Sequence, residues 1–471
     1  MEVVFGTQSY ESRALQISAQ RLVNCFVEAQ PEGAKSQVPL FGAPGLTPFA
    51  MLPTSPVRGM WNYNGNLWAV GGDSLYRLNS AAGYKKIGSG ISGSGPVVIC
   101  DNGVQVMIIN GTSGYVATTA TDAFQQIQDP NFNSANSVTF FDDYFVFNRR
   151  GTKQFFLSGL LDGLSYNGLD FASAEADTGL LVAVAKNLQL LYLFCAEHIE
   201  MWYDAGAANF PFARYAGAVI PRGCIAPASI VAQDQGLFFL GDDRIFYRLQ
   251  GNEPIRMSTH GVEKAIESYG DNITDAFCFT YTQQGHKMIH LTFPSVPHSW
   301  VFDISTRKWH ERESWDANNN TLNRWRGNCA AECYNKVLIG DFQTGQIWHL
   351  DWSAYDEGGN TMQMLAHSSP VHDEKFRTFL DTLELDMQSG AGLTSGQGAA
   401  PVVMLRWSKD GGETWSPLQP PRSIGKKGAY VTRQRWKNLG QAYQWVFELT
   451  ISDPVQRALI STYIEGKRGM A

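Results

Sequence analysis

The sequence has little charge, few cysteines and no long apolar run. Charged residues make up 17% of the chain and apolar residues 44%, which excludes wholesale disorder and allows a large buried core. The seven cysteines are odd in number and scattered, which favours free thiols formed in a reducing cytoplasm over a disulfide framework. Because no stretch approaches the roughly 18 apolar residues of a membrane span, we expect no membrane insertion. The N-terminus also lacks the pattern of an export signal.

The sequence also lacks the residue patterns that carry common enzyme chemistry. Neither a His-Glu-x-x-His helix nor a Gly-x-Ser-x-Gly elbow occurs, and the nine histidines are dispersed. Cys329 and Cys333 are close together, but no second Cys or His pair stands beside them at zinc-finger spacing. The neighbouring carboxylates Asp142 and Asp143 lie where a hairpin turn is predicted. We therefore predict a non-enzymatic protein without a metal or a cofactor.

Glycine, aromatic residues and a repeated turn pattern are abundant instead. The chain has 46 Gly and 12% aromatic residues, which favour hairpin turns and half-buried strands over helices. One unit, in which a turn leads to an apolar strand, a Gly-Asp turn and an aromatic strand, occurs at 64–78, 235–249 and 336–350. Weaker strand pairs between these copies give a step of about 40–50 residues, the period of propeller blades. We predict a β-propeller of six or seven blades over residues 56–365.

The segments before and after the predicted propeller differ from it. Residues 1–55 contain five prolines, which predicts an extended arm that packs on the C-terminal domain or on a neighbouring subunit. Residues 366–471 lack the repeat and carry long alternating strands, such as the one with Trp445, Phe447 and Leu449 on one face. These strands predict a separate β-sandwich-like domain. The predicted fold class is therefore all-β.

The sharpest short motif is Ser408-Lys409-Asp410-Gly411-Gly412-Glu413-Thr414-Trp415. It matches the Asp-box pattern Ser-x-Asp-x-Gly-x-Thr-Trp, which occurs in sialidases and in many propellers. We predict a structural role for its residues, in which the carboxylate caps turn amides, the glycine takes a tight backbone conformation and the indole packs beneath the hairpin. The motif residues with this role are Ser408, Asp410, Gly412, Thr414 and Trp415.

Positive charge is concentrated near the C-terminus. Residues 401–471 hold 11 Lys and Arg against 5 Asp and Glu, whereas the rest of the chain is acidic. Alternation along a strand would place three of these cations on one face. Two interpretations stay open for the basic residues. They form a face that contacts a partner or DNA, or they lie on a solvated edge. The residues concerned are Lys426, Lys427, Arg433, Arg435 and Lys437.

Several segments, taken together in their order and spacing, resemble a known family. The N-terminal run Gln20-Arg21-Leu22-Val23-Asn24 and the segment Phe41-Gly42-Ala43-Pro44-Gly45 are similar to the opening of phage packaged-DNA stabilisation proteins. These proteins are also called tail accessory, hub or nozzle proteins of short-tailed phages. The resemblance continues through residues 162–175, 199–203, 406–412 and 436–440, so it spans nearly the whole chain.

The resemblance implies a structural virion protein, made in the bacterial host cytoplasm and assembled into the phage tail. It implies a homohexameric ring below the portal-adaptor protein that closes the head after packaging, stabilises the packaged DNA and forms part of the ejection conduit. The implied partners are the portal adaptor, a tail needle or plug, tail fibres or tailspikes, and double-stranded DNA in the channel. The alternative function is a carbohydrate-binding or glycosidase-like propeller of the receptor-recognising tail apparatus.

Overall fold

The computed structural model describes residues 3–176, 178–207 and 210–469, and it consists almost entirely of β-structure. Strands account for 51% of it and helices for 3%, which confirms the predicted all-β class. The N-terminal segment contributes six strands to several different sheets. These strands are β1 (Tyr10–Glu11), β2 (Ala19–Gln20), β3 (Leu22–Val23), β4 (Cys25–Val27), β5 (Leu40–Gly42) and β6 (Gly45–Met51).

Four-stranded antiparallel blades follow from residue 57 onward. Blade 1 comprises β7 (Val57–Tyr63), β8 (Asn66–Gly71), β9 (Ser74–Leu78) and β10 (Tyr84–Ser89). Blade 2 comprises β11 (Val98–Asp101), β12 (Gln105–Ile109), β13 (Gly114–Thr118) and β14 (Ala123–Gln126). Blade 3 comprises β15 (Val138–Phe141), β16 (Tyr144–Asn148), β17 (Gln154–Leu157) and β18 (Phe171–Ser173). Blade 4 comprises β19 (Leu181–Asn187), β20 (Leu190–Cys195), β21 (Ile199–Asp204) and β22 (Phe212–Ile220).

Three further blades complete the ring. Blade 5 comprises β23 (Val231–Gln233), β24 (Gly236–Leu240), β25 (Phe246–Gln250) and β26 (Glu253–Arg256), and a 3-10 turn (Pro227–Ser229) precedes it. Blade 6 comprises β27 (Phe277–Gln283), β28 (His286–Thr292), β29 (Ser299–Asp303) and β30 (Lys308–Glu311). The hairpin β31 (Glu313–Asp316) and β32 (Thr321–Arg324) follows it. Blade 7 comprises β33 (Gly327–Cys333), β34 (Lys336–Asp341), β35 (Gln346–Asp351) and, as its fourth strand, β6.

The described residues thus form a seven-bladed propeller, which confirms the predicted architecture. The first strands of the blades line the centre, and β33 of blade 7 lies beside β7 of blade 1, so the ring is closed. A separate apolar cluster fills each of the seven gaps between neighbouring blades. Because side chains of both neighbours share each cluster, every blade buries one face on each side.

The turn pattern seen in the sequence marks the second and third strands of blades. Its three copies are β8–β9, β24–β25 and β34–β35. The turns before these strands use two consecutive residues with positive φ, such as Asn64 with Gly65 and Tyr334 with Asn335. Two positive φ values define the type I′ turn, whose twist matches that of antiparallel strands. The turn chemistry therefore sets the hairpins within these blades.

The arm predicted for residues 1–55 does not stay outside the propeller. β6 pairs along its length with β35 and supplies the outer strand of blade 7. Pro48 lies inside β6 and had favoured an irregular arm. A proline is tolerated there because β6 is an edge strand and the pairing shifts register at Ile347 and Trp348, where a backbone donor is not required. Blade 7 thus combines one strand that precedes the other blades in sequence with three strands that follow them, and this closes the ring.

One α-helix, α1 (His260–Ser268), lies between blades 5 and 6. Val262 and Ile266 are one helical turn apart, and both are buried in the apolar cluster between these blades. Lys264 on the helix donates to the carbonyl of Ser12, which attaches the N-terminal segment to the propeller. No helix among the described residues has the length and apolar character needed to cross a bilayer.

The C-terminal strands and the N-terminal segment form a β-sandwich together. The C-terminal strands are β36 (Met364–His367), β37 (Val371–His372), β38 (Thr378–Met387), β39 (Val402–Ser408), β40 (Arg422–Ser423), β41 (Gln434–Ala442), β42 (Gln444–Ile451) and β43 (Ala458–Arg468). One sheet has the order β4-β5-β43-β38-β41, and the other contains β36, β42, β39 and β40. Val3, Phe5 and Leu22 lie in the sandwich core beside Trp445 and Phe447.

The sandwich is joined to the propeller through a continuous sheet. β3 pairs with β30 of blade 6 on one side and with β36 of the sandwich on the other. Asn24 strengthens this joint, because its side-chain amide donates to the carbonyls of Glu313 and Gln363 at 2.9 and 2.8 Å. The N-terminal segment is therefore the structural link between the two domains.

Candidate functional site

The Asp-box residues form a closed hydrogen-bond network in the turn after β39. The buried hydroxyl of Ser408 donates to Asp410 Oδ1 at 2.6 Å and accepts from the amide of Gly412 at 2.8 Å. Asp410 in turn accepts from the amide and the hydroxyl of Thr414. Although desolvation opposes ionisation, the hydrogen bonds from Ser408 and Thr414 lower the pKa of Asp410 to about 2. The carboxylate is thus held ionised as a turn cap.

The two glycines of the turn allow the N-terminal segment to approach closely. Gly411 and Gly412 have φ values of 84° and 109°, which L side chains rarely adopt. A Cβ atom on Gly411 would lie 2.7 Å from the backbone of Gln16, and one on Gly412 would lie 2.9 Å from Ala19. The Asp-box turn therefore packs directly against residues 16–19 of the N-terminal segment.

Trp415 faces a charged cluster and is only half-buried. Its ring lies 4.9 Å from the ring of His367 and 4.9 Å from the guanidinium of Arg406. Both of these residues bind the buried carboxylate of Glu448, His367 at 2.9 Å. His367 also uses Nδ1 to contact the carbonyl of Ala19 in the N-terminal segment, at 2.8 Å. The Asp-box tryptophan thus covers a cluster that fixes the N-terminal segment to the sandwich.

The predicted basic face separates into two kinds of cation. Arg433 and Arg435 both bind the carboxylate of Glu384 on the adjacent strand β38, and the hydrogen bonds from Arg433 hold the pKa of Glu384 below its usual value. Lys426, Lys427 and Lys437 are exposed and form no ion pair within the described residues. The lysines are therefore available to a partner, whereas the two arginines are engaged within the sheet.

A second charged cluster, not identified from the sequence, lies where blade 6 meets the sandwich. Arg21 Nη2 lies 2.8 Å from Glu311 Oε2 and 2.9 Å from Glu313 Oε1. His298 Nδ1 contacts Glu313 on the other side. Both carboxylates are buried, while Arg21 and His298 reach a cleft of about 400 Å³ between the two domains. Trp315, among others, lines this cleft.

Burial and charge shift the pKa values of this cluster in different directions. Although desolvation opposes its ionisation, Glu311 has a pKa below its usual value because Arg21 faces it. Burial raises the pKa of Glu313. Burial favours the neutral form of His298, but the hydrogen bond with Glu313 outweighs it and raises the pKa of the imidazole. Two cations, Arg21 and protonated His298, then balance two carboxylates.

The same cluster is the one group of described residues with the spacing of metal ligands. The ligand atoms of His298, Glu311 and Glu313 lie within 4.8 Å of one another. Arg21 already pairs with both carboxylates, so a divalent ion would have to stand beside a guanidinium. The geometry therefore favours a structural ion cluster, and the absence of a metal stays a prediction. Arg21 lies about 290 residues from its partners in sequence, so no local pattern could have revealed this cluster.

The fold and these clusters define a class of protein: a closed propeller and a β-sandwich, locked together by a shared N-terminal segment. Family comparison assigns the chain more narrowly. A model described as bacteriophage P22 Gp10, beta-propeller matches residues 1–355, and one described as bacteriophage P22 Gp10, beta-sandwich matches residues 364–467. The chain therefore belongs to the bacteriophage P22 Gp10 family of packaged-DNA stabilisation proteins, and it is a structural protein of a phage tail.

Comparisons with curated proteins and with solved structures do not narrow the function further. No curated protein matches the chain. Solved structures with some likeness include the computationally designed Ika8 protein (9% identity, TM-score 0.38, covering 65% of this chain and 99% of that one). PorZ of Porphyromonas gingivalis is 11% identical, with a TM-score of 0.38 over 71% of this chain and 44% of its own. A chain of the mitotic checkpoint complex is 9% identical, with a TM-score of 0.43 over 69% and 95%. These scores carry no functional argument.

Proposed function

We propose that the chain is a subunit of the tail hub or nozzle, a ring below the portal-adaptor protein that closes the head and retains the packaged DNA. In this role it acts without catalysis, forms a homohexamer around the ejection conduit, and carries the tail needle or plug and the fibres or tailspikes. It is made in the host cytoplasm and contacts double-stranded DNA in the channel. Membership in the P22 Gp10 family supports this proposal, since that family stabilises packaged DNA.

The observation that carries the proposal is the joint between propeller and sandwich. Val23 joins the two domains by pairing with Glu311 and Leu365 within one sheet. In the same segment, Arg21 pairs with the buried carboxylate of Glu311, and the carbonyl of Ala19 contacts His367. A hub wall has to keep its shape while DNA under pressure pushes on it. Two domains that share one sheet resist relative movement better than two domains joined by a linker.

The test is to silence the phage gene that encodes this chain during infection. We expect heads that package DNA but lose it, and normal retention when the wild-type chain is supplied from a plasmid. The measurement is the fraction of DNA-filled particles by electron microscopy, with tail composition determined by mass spectrometry. Full heads without the chain would contradict the proposal.

The cleft between the domains bears on the alternative, carbohydrate-related function. It contains an aromatic side chain, Trp315, and the carboxylates of Glu313 and Glu448, which are features of sugar sites. Arg21 pairs with Glu313, and Arg406 pairs with Glu448. Because these cations engage the carboxylates, the geometry favours the structural role. Saturable binding of host surface polysaccharide that is lost in Trp315→Ala would favour the alternative.

A further inference from the structure

An acidic patch without counter-ions lies on blades 3 and 4. Asp142 and Asp143 form the turn between β15 and β16, and Asp204 ends β21. All three are exposed, and none forms an ion pair within the described residues. A hydrogen bond between the carboxyl groups of Asp142 and Asp204 raises the pKa of Asp142, and the negative charges of Asp204 and Asp143 raise it further. An external cation would relieve the repulsion between these charges.

An apolar strand edge lies directly beside the acidic patch. β22, the outer strand of blade 4, spans nine residues, and its outer edge pairs with no strand of the described chain. Tyr215 on this strand is 51% exposed, and its ring contacts that of Tyr203 at 6.1 Å. Residues 215–219 contain no charge. The strand's one charged residue, Arg214, lies 3.9 Å from the buried carboxylate of Glu200. The strand bulges away from β21 between Arg214 and Val219, and this uncharged, exposed segment is open to association.

A loop of opposite charge and similar apolar character projects from the sandwich. Residues 426–431, between β40 and β41, begin with Lys426 and Lys427 and end with Tyr430 and Val431. These two apolar side chains are 75% and 96% exposed. The loop is nevertheless ordered by hydrogen bonds, including one from the amide of Gly428 to the carbonyl of Gly390 at 3.2 Å. Apolar side chains held in solvent by an ordered loop are typical of an interface whose partner is missing.

The two surfaces lie on different domains of one copy. The sandwich is attached at blade 6, whereas the acidic edge lies on blades 3 and 4, which are three and two positions from it around the seven-bladed ring. Because Tyr215, Tyr430 and Val431 are all exposed, one copy does not cover its own acidic edge with its own basic loop. Each surface places charge beside apolar residues, negative on the propeller and positive on the sandwich, so the loop of one copy complements the edge of another.

We propose that adjacent copies associate head to tail, with residues 426–431 of one copy seated against β22 and the patch of Asp142, Asp143 and Asp204 on the next. Because two different surfaces meet, the contact is heterologous, and repetition produces a closed ring when the rotation per copy divides the circle evenly. This inference rests on the ring of the proposed hub and assigns the surfaces that build it.

The first test reverses the charges of each surface in separate variants and then mixes the two variants. The basic variant Lys426→Glu with Lys427→Glu and the acidic variant Asp142→Lys with Asp204→Lys should each lose association by about ten-fold or more. A 1:1 mixture of the two should recover it, because the reversed surfaces attract each other again. The control pair, Lys375→Glu and Glu253→Lys, reverses exposed charges elsewhere and should associate like the wild type. Association is measured by sedimentation of the full chain, with melting curves to verify folding.

Crosslinking in assembled tails is the second test. A chain with Tyr215→Cys and Val431→Cys should form a ladder of covalent multimers on oxidation, because the proposed contact brings these two positions of adjacent copies together. Chains with only one of these substitutions should form no ladder. The native cysteines interfere little, since five of the seven are buried.

The outcomes separate this proposal from the hub proposal. A ladder in tails, or recovery on mixing, supports the assigned surfaces. Absence of a ladder in tails that contain several copies of the chain overturns the surfaces and leaves the hub intact. Failure of the basic variant to enter tails, without recovery on mixing, shows that the loop binds a different tail protein and also overturns the proposal. Absence of the wild-type chain from tails contradicts the hub itself.

Discussion

The ring closure of the propeller and its joint to the sandwich are built from different interactions. At the closure, β6 packs Leu46 and Ala50 into apolar clusters shared with neighbouring blades. At the joint, Arg21 and His298 pair with the buried carboxylate of Glu311 while they themselves reach the cleft. Apolar packing is insensitive to protonation, whereas a buried ion cluster is stable only while its charges balance. One segment of about 50 residues therefore closes the ring through apolar packing and joins the two domains through groups that titrate.

Removing the cation of the joint should have the largest effect. Arg21→Ala leaves two buried carboxylates facing each other, so we expect a loss of about 3–5 kcal/mol in the free energy of unfolding. The measurement is urea denaturation followed by tryptophan fluorescence. The triple variant Arg21→Ala, Glu311→Gln, Glu313→Gln removes the uncompensated charge and should recover part of the loss. A single variant as stable as the wild type would show that the cluster is not a structural element.

Weakening the closure should have a similar or slightly smaller effect. Leu46 is fully buried in β6, and Leu46→Ala should cost about 2–4 kcal/mol through lost burial and a residual cavity. Unlike that of Arg21→Ala, this loss should be the same at pH 6 and pH 8. Denaturation at the two pH values provides the measurement. A loss that depends on pH would remove the distinction between the two regions.

Substitution of Trp415 tests how much a half-buried ring over charged side chains contributes to stability. Its ring contacts His367 and Arg406 and is half-buried, so Trp415→Ala should cost about 1–2 kcal/mol, less than a core tryptophan. Trp415→Phe should retain more of the stability than Trp415→Ala. Thermal unfolding of both variants checks the order. A loss of zero for Trp415→Ala would contradict a structural role of the Asp-box.

Near neutral pH, histidine protonation should have the smallest effect, because the histidines with lowered and with raised pKa values act in separate pH ranges. Burial lowers the pKa of His310 to about 4 and also lowers that of His290, so the unfolded chain binds more protons and stability falls as the pH drops from about 6.5 toward 4. The pKa of His298 is raised, so its contribution is present below about 6.5 and is lost as the pH rises through its folded pKa.

Melting temperature against pH checks this prediction. His298→Asn should flatten the loss above pH 6.5 and leave the acid side unchanged, whereas His310→Asn should flatten the acid side. Identical pH profiles for the wild type and His298→Asn would contradict the assigned titration of the joint.

The sequence allowed the blades to be predicted because their determinants are local. Asn64 and Gly65 set one hairpin, and the same pattern marks two further blades. The closure by β6 could not be predicted, because Pro48 indicates irregular structure unless its edge position is known. The alternation that groups Arg433 with Arg435 was informative about the strand, but not about Glu384 on the neighbouring strand. Partners that are distant in sequence need the fold to bring them together.

The closure of the ring also sets an order of events during synthesis. β6 leaves the ribosome early, yet its partner β35 begins at Gln346, about 300 residues later. At 5–20 residues per second, the first strand waits on the order of 15–60 seconds for its pairing edge. The sandwich core waits longer, since Val3 and Phe5 pack against strands beyond residue 364. A chain interrupted before β35 completes neither domain, and one interrupted between β35 and β36 lacks the C-terminal strands of the sandwich. Only finished subunits then carry both complete domains, so an interrupted chain differs from a finished one in its fold as well as in its length.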